Sequence, residues 1–394
     1  MVNIGVLLTA SGQHRGPADH NSGLGSHLQA GPRLPDGTVS ILRAQLALKR
    51  GDAAVPTDLV GINGYELTSD WAVNSGCGYG AWTTQSLDAF FGALRPGALV
   101  RTWFFQSRAD RQGQRDWTGL DRVVDLAARH GAHLIAVLGN QNGQCDDGSW
   151  KDTAWYQAGY GQATGGQASY AGWVHDAVAR YAPSHAVAMW EPINEPNPID
   201  CRAGANCYSE GTCPDELAVS QTLTTFFTTV GGMIRAADPS ALVADGAIGT
   251  GDCGTANDAD YRRVIASPGL DVTDYHDYSP IDTTLPSDLR RRVADASQLG
   301  KASMIDEAGV SGCGSGEARA AAFRRKMTAA FAVGITAYLP WYYGGDNGHP
   351  DCDSPIDVDS PTWVLLHDGS WIPSRPPGGT PVSQQRHPPP VERR

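Results

Sequence analysis

The chain has 394 residues and 41.8 kDa, 41% hydrophobic and 18% charged, which supplies a globular core and excludes disorder as the main state. Thirty Lys and Arg against 42 Asp and Glu leave a net charge of −12, a field that repels phosphate backbones and anionic lipids, so neither a nucleic-acid nor a membrane partner is expected. No apolar run approaches the roughly 20 residues that span a bilayer.

Residues 1–57 read as an atypical amino-terminal segment, partly disordered, rich in Gly, His and Pro until an amphipathic stretch from Val39 to Lys49. The eight cysteines, at 77, 145, 201, 207, 213, 253, 313 and 352, contain no C-x-x-C and meet no paired His at metal spacing, so no metal site is expected. An even, scattered set in Gly-rich sequence reads instead as disulfides formed in an oxidising compartment, and the chain is expected to be secreted. Met1 to Gly12 has no basic region, and Val6 to Ala10 is short for a signal peptide. A mis-assigned or truncated start would reconcile the two readings.

From residue 58 onward, short apolar runs alternate with stretches of helical period, the pattern of a parallel sheet covered by helices. The predicted strands are Leu59 to Glu66, Leu99 to Phe105, His133 to Gly139, Ala186 to Ile193, Ala241 to Gly246, Asp271 to Tyr278, Ala302 to Glu307 and Ile335 to Trp341. The predicted helices are Thr84 to Leu94, Leu120 to His130, Tyr170 to Tyr181, Glu216 to Ala237, Asp288 to Leu299 and Glu317 to Val333, with a shorter one at Asp258 to Ala266. Eight strands with crossovers over residues 58–345 predict an α/β chain folded as a (β/α)8 TIM barrel rather than a doubly wound sheet. Long insertions follow the third and fourth strands, at Asn140 to Gln167 and Pro196 to Pro214, on the face where barrels place function. Residues 346–372 read as a closing segment without a clear eighth helix. The tail from Pro373 to Arg394, with seven prolines in 22 residues, reads as disordered.

The segment Ala188-Met-Trp-Glu-Pro-Ile-Asn-Glu-Pro196 delivers Asn194 and Glu195 to a strand end, a carboxyl beside an amide that suits a general acid with a hydroxyl-binding neighbour. The seventh run, Ser303-Met-Ile-Asp-Glu-Ala-Gly309, ends with Glu307 in the equivalent place. Two such carboxylates across a barrel mouth can sit about 5 to 5.5 Å apart, the separation for double displacement through a covalent glycosyl-enzyme. Pro192 within strand four predicts a local bulge beside Glu195. By alternation Asp306 points away from Glu307, into the wall, and needs its own partner.

The Asn-Glu-Pro after strand four and the Glu-x-Gly ending strand seven resemble the clan A glycoside hydrolases, especially glycoside hydrolase family 5, over roughly residues 58–343. The resemblance implies that Glu195 is the acid/base, Glu307 the nucleophile and Asn194 a contact to the sugar 2-hydroxyl. It implies that Arg101, in Val100-Arg-Thr-Trp103, holds the nucleophile ionised, and that Tyr278, in Asp274-Tyr-His-Asp-Tyr278, hydrogen-bonds the nucleophile beside His276. Trp341, in Leu339-Pro-Trp341, matches the aromatic residue under the sugar, and Asn140 takes a strand-three position that is often polar.

Electrostatics suggests a division of labour: a guanidinium beside Glu307 lowers its pKa, and surroundings poor in positive charge raise that of Glu195. Trp71, Trp82, Trp103, Trp150, Trp155, Tyr342 and Tyr343 lie near strand ends, where aromatic faces can stack on the apolar face of a pyranose.

The expected activity is a retaining glycosidase, endo-acting, on a β-mannan or β-glucan polysaccharide, monomeric and needing no cofactor. The rival reading is a non-catalytic carbohydrate-binding barrel, which turnover would separate. Gly249-Thr-Gly-Asp-Cys-Gly254 fits a dinucleotide-binding pattern only formally, with a cysteine and little helix after it.

Overall fold

The computed structural model describes residues 36–69, 82–111, 113–163, 168–202, 205–249, 251–310, 315–343 and 356–372. Trp71, Cys77, Cys313, Cys352, residues 1–35 and the tail from Pro373 lie outside them.

Eight parallel strands make the barrel: β1 Leu59–Asn63, β2 Leu99–Trp103, β3 His133–Val137, β4 Val187–Glu191, β5 Leu242–Val243, β6 in two pieces at Val272–Thr273 and His276–Asp277, β7 at Ala302–Ser303 and Ile305–Ala308, and β8 Ala337–Pro340. The sheet runs in the order β5-β4-β3-β2-β1-β8-β7-β6. The remaining seam, between β5 and β6, is joined by the Ala244–Val272 bridge and by Asp271 N–H donating to the Val243 carbonyl at 2.8 Å. This is the (β/α)8 architecture that the alternating pattern predicts.

The helices that follow the strands are α1 Thr84–Gly92, α2 Thr118–His130, α3 Tyr170–Tyr181, α4 Glu216–Ala237, α5 Asp258–Ile265, α6 Leu289–Gln298, α7 Gly316–Val333 and α8 Pro361–Asp368. α5 is short but firmly started, because the Asn257 side chain accepts from both Ala259 N–H and Asp260 N–H. α8 corrects the expectation of a missing eighth helix. Ser360 caps it, Pro361 opens it, Gly369 ends it in the left-handed region, and Trp363 and Leu366 are buried.

The lower barrel interior is apolar: Leu59, Leu99, Ile135, Met189, Met304 and Leu339 pack together with Val39 and Leu46. The last two come from an antiparallel meander, Val39–Ile41, Leu46–Arg50 and Ala53–Pro56, which packs against these residues. Along β2 and β4 the inward positions continue upward from Leu99 to Arg101 and from Met189 to Glu191, so the interior changes from apolar to charged one layer below the mouth.

Two disulfides brace the mouth loops: Cys201–Cys207 within the loop after β4, and Cys213–Cys253 between the loops after β4 and β5. Cys145, in the loop after β3, is also disulfide-bonded, and no described cysteine is free. No described helix is long and apolar enough to cross a membrane.

Candidate active site

Arg101 is completely buried, and its guanidinium is shared among three strands. Its Nε and NH2 donate to Glu191 Oε2 and Oε1 at 2.8 and 2.6 Å, a two-point grip from β2 to β4. NH1 donates to Glu307 Oε2 at 2.9 Å and to Asn63 Oδ1 at 3.2 Å, while NH2 also reaches Asn194 Oδ1 at 2.7 Å. Asp306 Oδ2 lies 3.0 Å from Nε. Burial alone would weaken the guanidinium's charge, but Glu191, Asp306 and Glu307 outweigh it and hold its pKa well above the ordinary range.

Asp306 departs from the expectation that it points away from Glu307. β7 is irregular against β8: Ile305 pairs with Tyr338 and Ala308 with Pro340, so three steps on one strand face two on the other. Such a bulge breaks strict alternation. As a result both Asp306 and Glu307 reach Arg101. Burial, reinforced by Glu191 and Glu307, raises the Asp306 carboxyl to about 7 against the pull of Arg101 and His276.

The irregularity expected at Pro192 also lies elsewhere. β4 shifts register against β3 between the Leu134–Val187 and Ile135–Met189 pairs, beside Ala188. Beyond Pro192 the pairing resumes in step at the Asn140–Asn194 bridge. Asn194 N–H donates to the Gly139 carbonyl at 2.9 Å and Glu195 N–H to the Gly246 carbonyl at 2.8 Å, so the end of β4 is fixed on both sides. Glu195 itself has φ 52°, a left-handed conformation that costs a non-glycine residue energy and aims its side chain into the mouth. Gly246 has no substitute in this packing, because a Cβ there would sit 2.1 Å from the Ile193 carbonyl oxygen and 2.5 Å from Glu191 Oε1.

Glu307 accepts from Tyr278 Oη at 2.6 Å on Oε1 and from Arg101 on Oε2. Glu195 Oε1 lies 2.9 Å from His276 Nδ1, and that nitrogen is 3.8 Å from Glu307 Oε2. One carboxylate oxygen each of Glu195 and Glu307, and a ring nitrogen of His276, all lie within 4.8 Å of one another. Burial opposes charge on His276, but Glu307, Asp306 and Glu195 together raise its pKa to about 10.

This reverses the electrostatic expectation for Glu195. Burial pushes its carboxyl up, yet the His276 hydrogen bond and charge, with Arg101 beyond, leave it below the ordinary value. The surroundings are therefore not poor in positive charge: the cation comes from β6, 81 residues away in sequence.

Asn194 and Asn140 are buried and bonded to each other, Asn194 Nδ2 donating to Asn140 Oδ1 at 3.2 Å. Asn140 Nδ2 donates to the Gln144 carbonyl at 2.9 Å, which ties it to the loop after β3. Trp341, at the end of β8, stacks on Tyr65 with ring centroids 5.0 Å apart, and Trp103 lies 6.1 Å from it. Of the other proposed aromatics, Trp155 packs on Phe226 of α4, and Tyr343 and Trp82 pack near Phe90 of α1, against the helices rather than in the mouth.

Four neighbours escaped the sequence reading. Glu191 was legible by counting inward every second residue from Met189. Tyr65, the stacking partner of Trp341, lies two residues past β1. Tyr208, 64% exposed, stands edge-on to Trp150 and accepts from Asn142 Nδ2 at 2.6 Å, held in the disulfide loop after β4. Asp252, in the loop after β5, is raised to about 7 by burial and then by the charge of Glu195. Only the fold reveals this last neighbour.

No family model matches the chain, and no curated protein matches it by sequence. Solved structures do match in fold. The endo-1,4-β-mannanase from Rhizomucor miehei aligns at TM-score 0.59 and 15% identity over 84% of this chain and 97% of that one. The endo-β-1,4-mannanase from Thermotoga petrophila aligns at TM-score 0.57 and 16% identity over 79% and 76%. The exo-β-1,4-mannosidase from Opitutaceae bacterium strain TAV5 gives TM-score 0.57 and 16% identity over 84% and 61%. Another such structure, from Rhizomucor miehei, is described as a glycoside hydrolase family 5 mannosidase. The chain has the (β/α)8 fold found in glycoside hydrolase family 5 of clan A.

Proposed function

We propose that this chain is a retaining glycoside hydrolase that cleaves β-glycosidic bonds in a β-mannan or β-glucan polysaccharide. The observation that carries the reading is the facing of Glu195 and Glu307 across the mouth, with carboxylate oxygens within 4.8 Å of each other and a different hydrogen-bond environment on each. That spacing is close to the one double displacement uses and leaves little room for the water an inverting mechanism needs.

Glu307, oriented by Arg101 and Tyr278, attacks the anomeric carbon, and its oxygen forms the bond as the glycosidic carbon–oxygen bond breaks. The departing oxygen takes a proton from the Glu195 side. Water then enters, gives a proton to Glu195, and its oxygen displaces Glu307 from the anomeric carbon. No cofactor or metal enters this chemistry. The disulfides at the mouth support a secreted enzyme.

Aromatic rings flank the pair on the β8-β1-β2 side, at Trp341, Tyr65 and Trp103, and on the β4 side, at Trp150 and Tyr208. Rings on both sides support binding along a chain and hence endo action. Among the fold neighbours, both endo- and exo-acting mannan enzymes occur.

The test is reducing-end release from mannan, mixed-linkage β-glucan, soluble cellulose and xylan, with Glu307→Gln in parallel. Release of mixed oligosaccharides from mannan or a glucan, abolished in the variant, is expected. Folded wild-type protein that binds these glycans and releases nothing would overturn the reading in favour of a non-catalytic binding barrel.

A further inference from the structure

His276 is clamped between carboxylates on both of its nitrogens. Nδ1 faces Glu195 Oε1 at 2.9 Å, and Nε2 faces Asp306 Oδ1 at 3.5 Å. The ring is buried, the Nε2–Asp306 approach is an ion-pair contact rather than a hydrogen bond, and neither Nε2 nor Asp306 Oδ1 has a hydrogen-bond partner among the described residues. The charged groups around the ring are Glu195 at the end of β4, Asp306 and Glu307 on β7, Asp252 in the loop after β5 and, behind the carboxylates, Arg101 on β2. Asp306 lies two residues past Met304 of the barrel interior and so points inward, and the β7 bulge lets the adjacent Glu307 face the same side.

We propose that Asp306 is a positioning residue for the reaction: it holds His276 as an imidazolium with Nδ1–H aimed at Glu195, so that the Glu195–His276 pair stores the proton the leaving group needs. The inference rests on the reading of Glu195 as the acid/base. In the first step the glycosidic oxygen takes a proton from Glu195 while His276 Nδ1 returns one to it, leaving a neutral imidazole. Glu307 loses its charge in the same step as its oxygen bonds the anomeric carbon, so one anion that favoured the imidazolium disappears when the proton departs. The remaining Nε2–H stays on the Asp306 side, which leaves the Nδ1 lone pair facing Glu195. In the second step the proton that water gives Glu195 passes to Nδ1, and Glu307 regains its charge.

The test is the pH profile of kcat/KM for Asp306→Asn on the oligosaccharide that the wild type hydrolyses. Losing the Asp306 charge weakens proton retention by the pair, so the alkaline limb is expected to move down by about one pH unit or more. A 2,4-dinitrophenyl glycoside, whose leaving group departs without a proton, is expected to lose less than about twofold at pH 9, against about tenfold or more for the oligosaccharide. An unmoved alkaline limb overturns the proposal, as do equal losses on the two substrates.

A second measurement needs neither turnover nor a folded Asp306→Asn chain. In wild-type chain labelled with 15N-histidine, with the His276 signal identified by its loss in His276→Asn, both ring nitrogens are expected at protonated shifts at pH 8. A neutral ring at that pH overturns the proposal. An inactive wild type would sink the glycosidase reading and leave this measurement standing, so the two failures are distinguishable.

Discussion

Arg101 holds Glu191 by two hydrogen bonds, at 2.8 and 2.6 Å, and reaches Glu307 with a third, so the guanidinium that orients Glu307 is itself fixed by the buried carboxylate of β4. Replacing Arg101 with Met leaves Glu191, Asp306 and Glu307 without their shared cation in a buried layer. A loss of roughly 3 to 5 kcal/mol is expected, the usual cost of breaking a buried ion pair from one side. Denaturant unfolding measures it. Arg101→Lys keeps the charge but loses the two-point grip, and is expected to fall between wild type and Arg101→Met.

Glu195→Gln keeps the shape of the side chain and removes its proton transfer. Turnover of a polysaccharide is expected to fall by about 10²- to 10⁴-fold, the range general acid–base catalysis supplies. Activated aryl glycosides should retain most of the first step and accumulate the glycosyl-enzyme, seen as a burst of released phenol. Equal loss on both substrate types, with no burst, would count against the assignment.

Stability is expected to rise on mild acidification. Burial raises Asp146 and Asp245 to about 6 and Asp252 and Asp306 to about 7. A carboxyl raised in the folded state binds its proton more tightly there than in the unfolded chain, so its ionisation costs stability as pH climbs from about 4 to 7. His276, raised to about 10, contributes stability that is complete below about 6.5 and is lost as pH rises through 10. Glu195, held low, acts in the opposite sense and loses its contribution only below about pH 4.5. Melting temperature should therefore increase from pH 9 down to about pH 4.5 and fall again in stronger acid. Thermal scans across that range check the sign.

The Cys213–Cys253 bridge spans 40 residues and joins the loops after β4 and β5 next to Glu195 and Asp252, whereas Cys201–Cys207 spans six. Loop-closure entropy assigns about 4 kcal/mol to the first and about 2 kcal/mol to the second. Replacing Cys213 and Cys253 with Ser should lower the melting temperature more than the corresponding pair at 201 and 207. It should also reduce turnover, because Cys253 N–H donates to Asn197 Oδ1, two residues past Glu195.

The strands were legible because each is a short apolar run between helical stretches, and the two strand-end glutamates were legible from their local motifs. α8 was missed for its brevity, although Ser360-Pro361 and Gly369 mark its start and stop. Asp306 was misplaced because alternation assumes an unbroken ladder, and the bulge in β7 depends on how that strand meets β8. The bulge expected at Pro192 lies beside Ala188, since the proline follows the last regular residue of β4. The protonation of Glu195 was misjudged because its controlling cation, His276, is brought to it only by the closed barrel.

The central claim is that Glu195 and Glu307 act by double displacement across their short separation. The most direct test is the anomeric configuration of the first product, followed by proton NMR during hydrolysis of a β-linked oligosaccharide before mutarotation sets in. The account predicts that the β-anomer forms first and relaxes to the equilibrium mixture. Initial appearance of the α-anomer would show single displacement and contradict it.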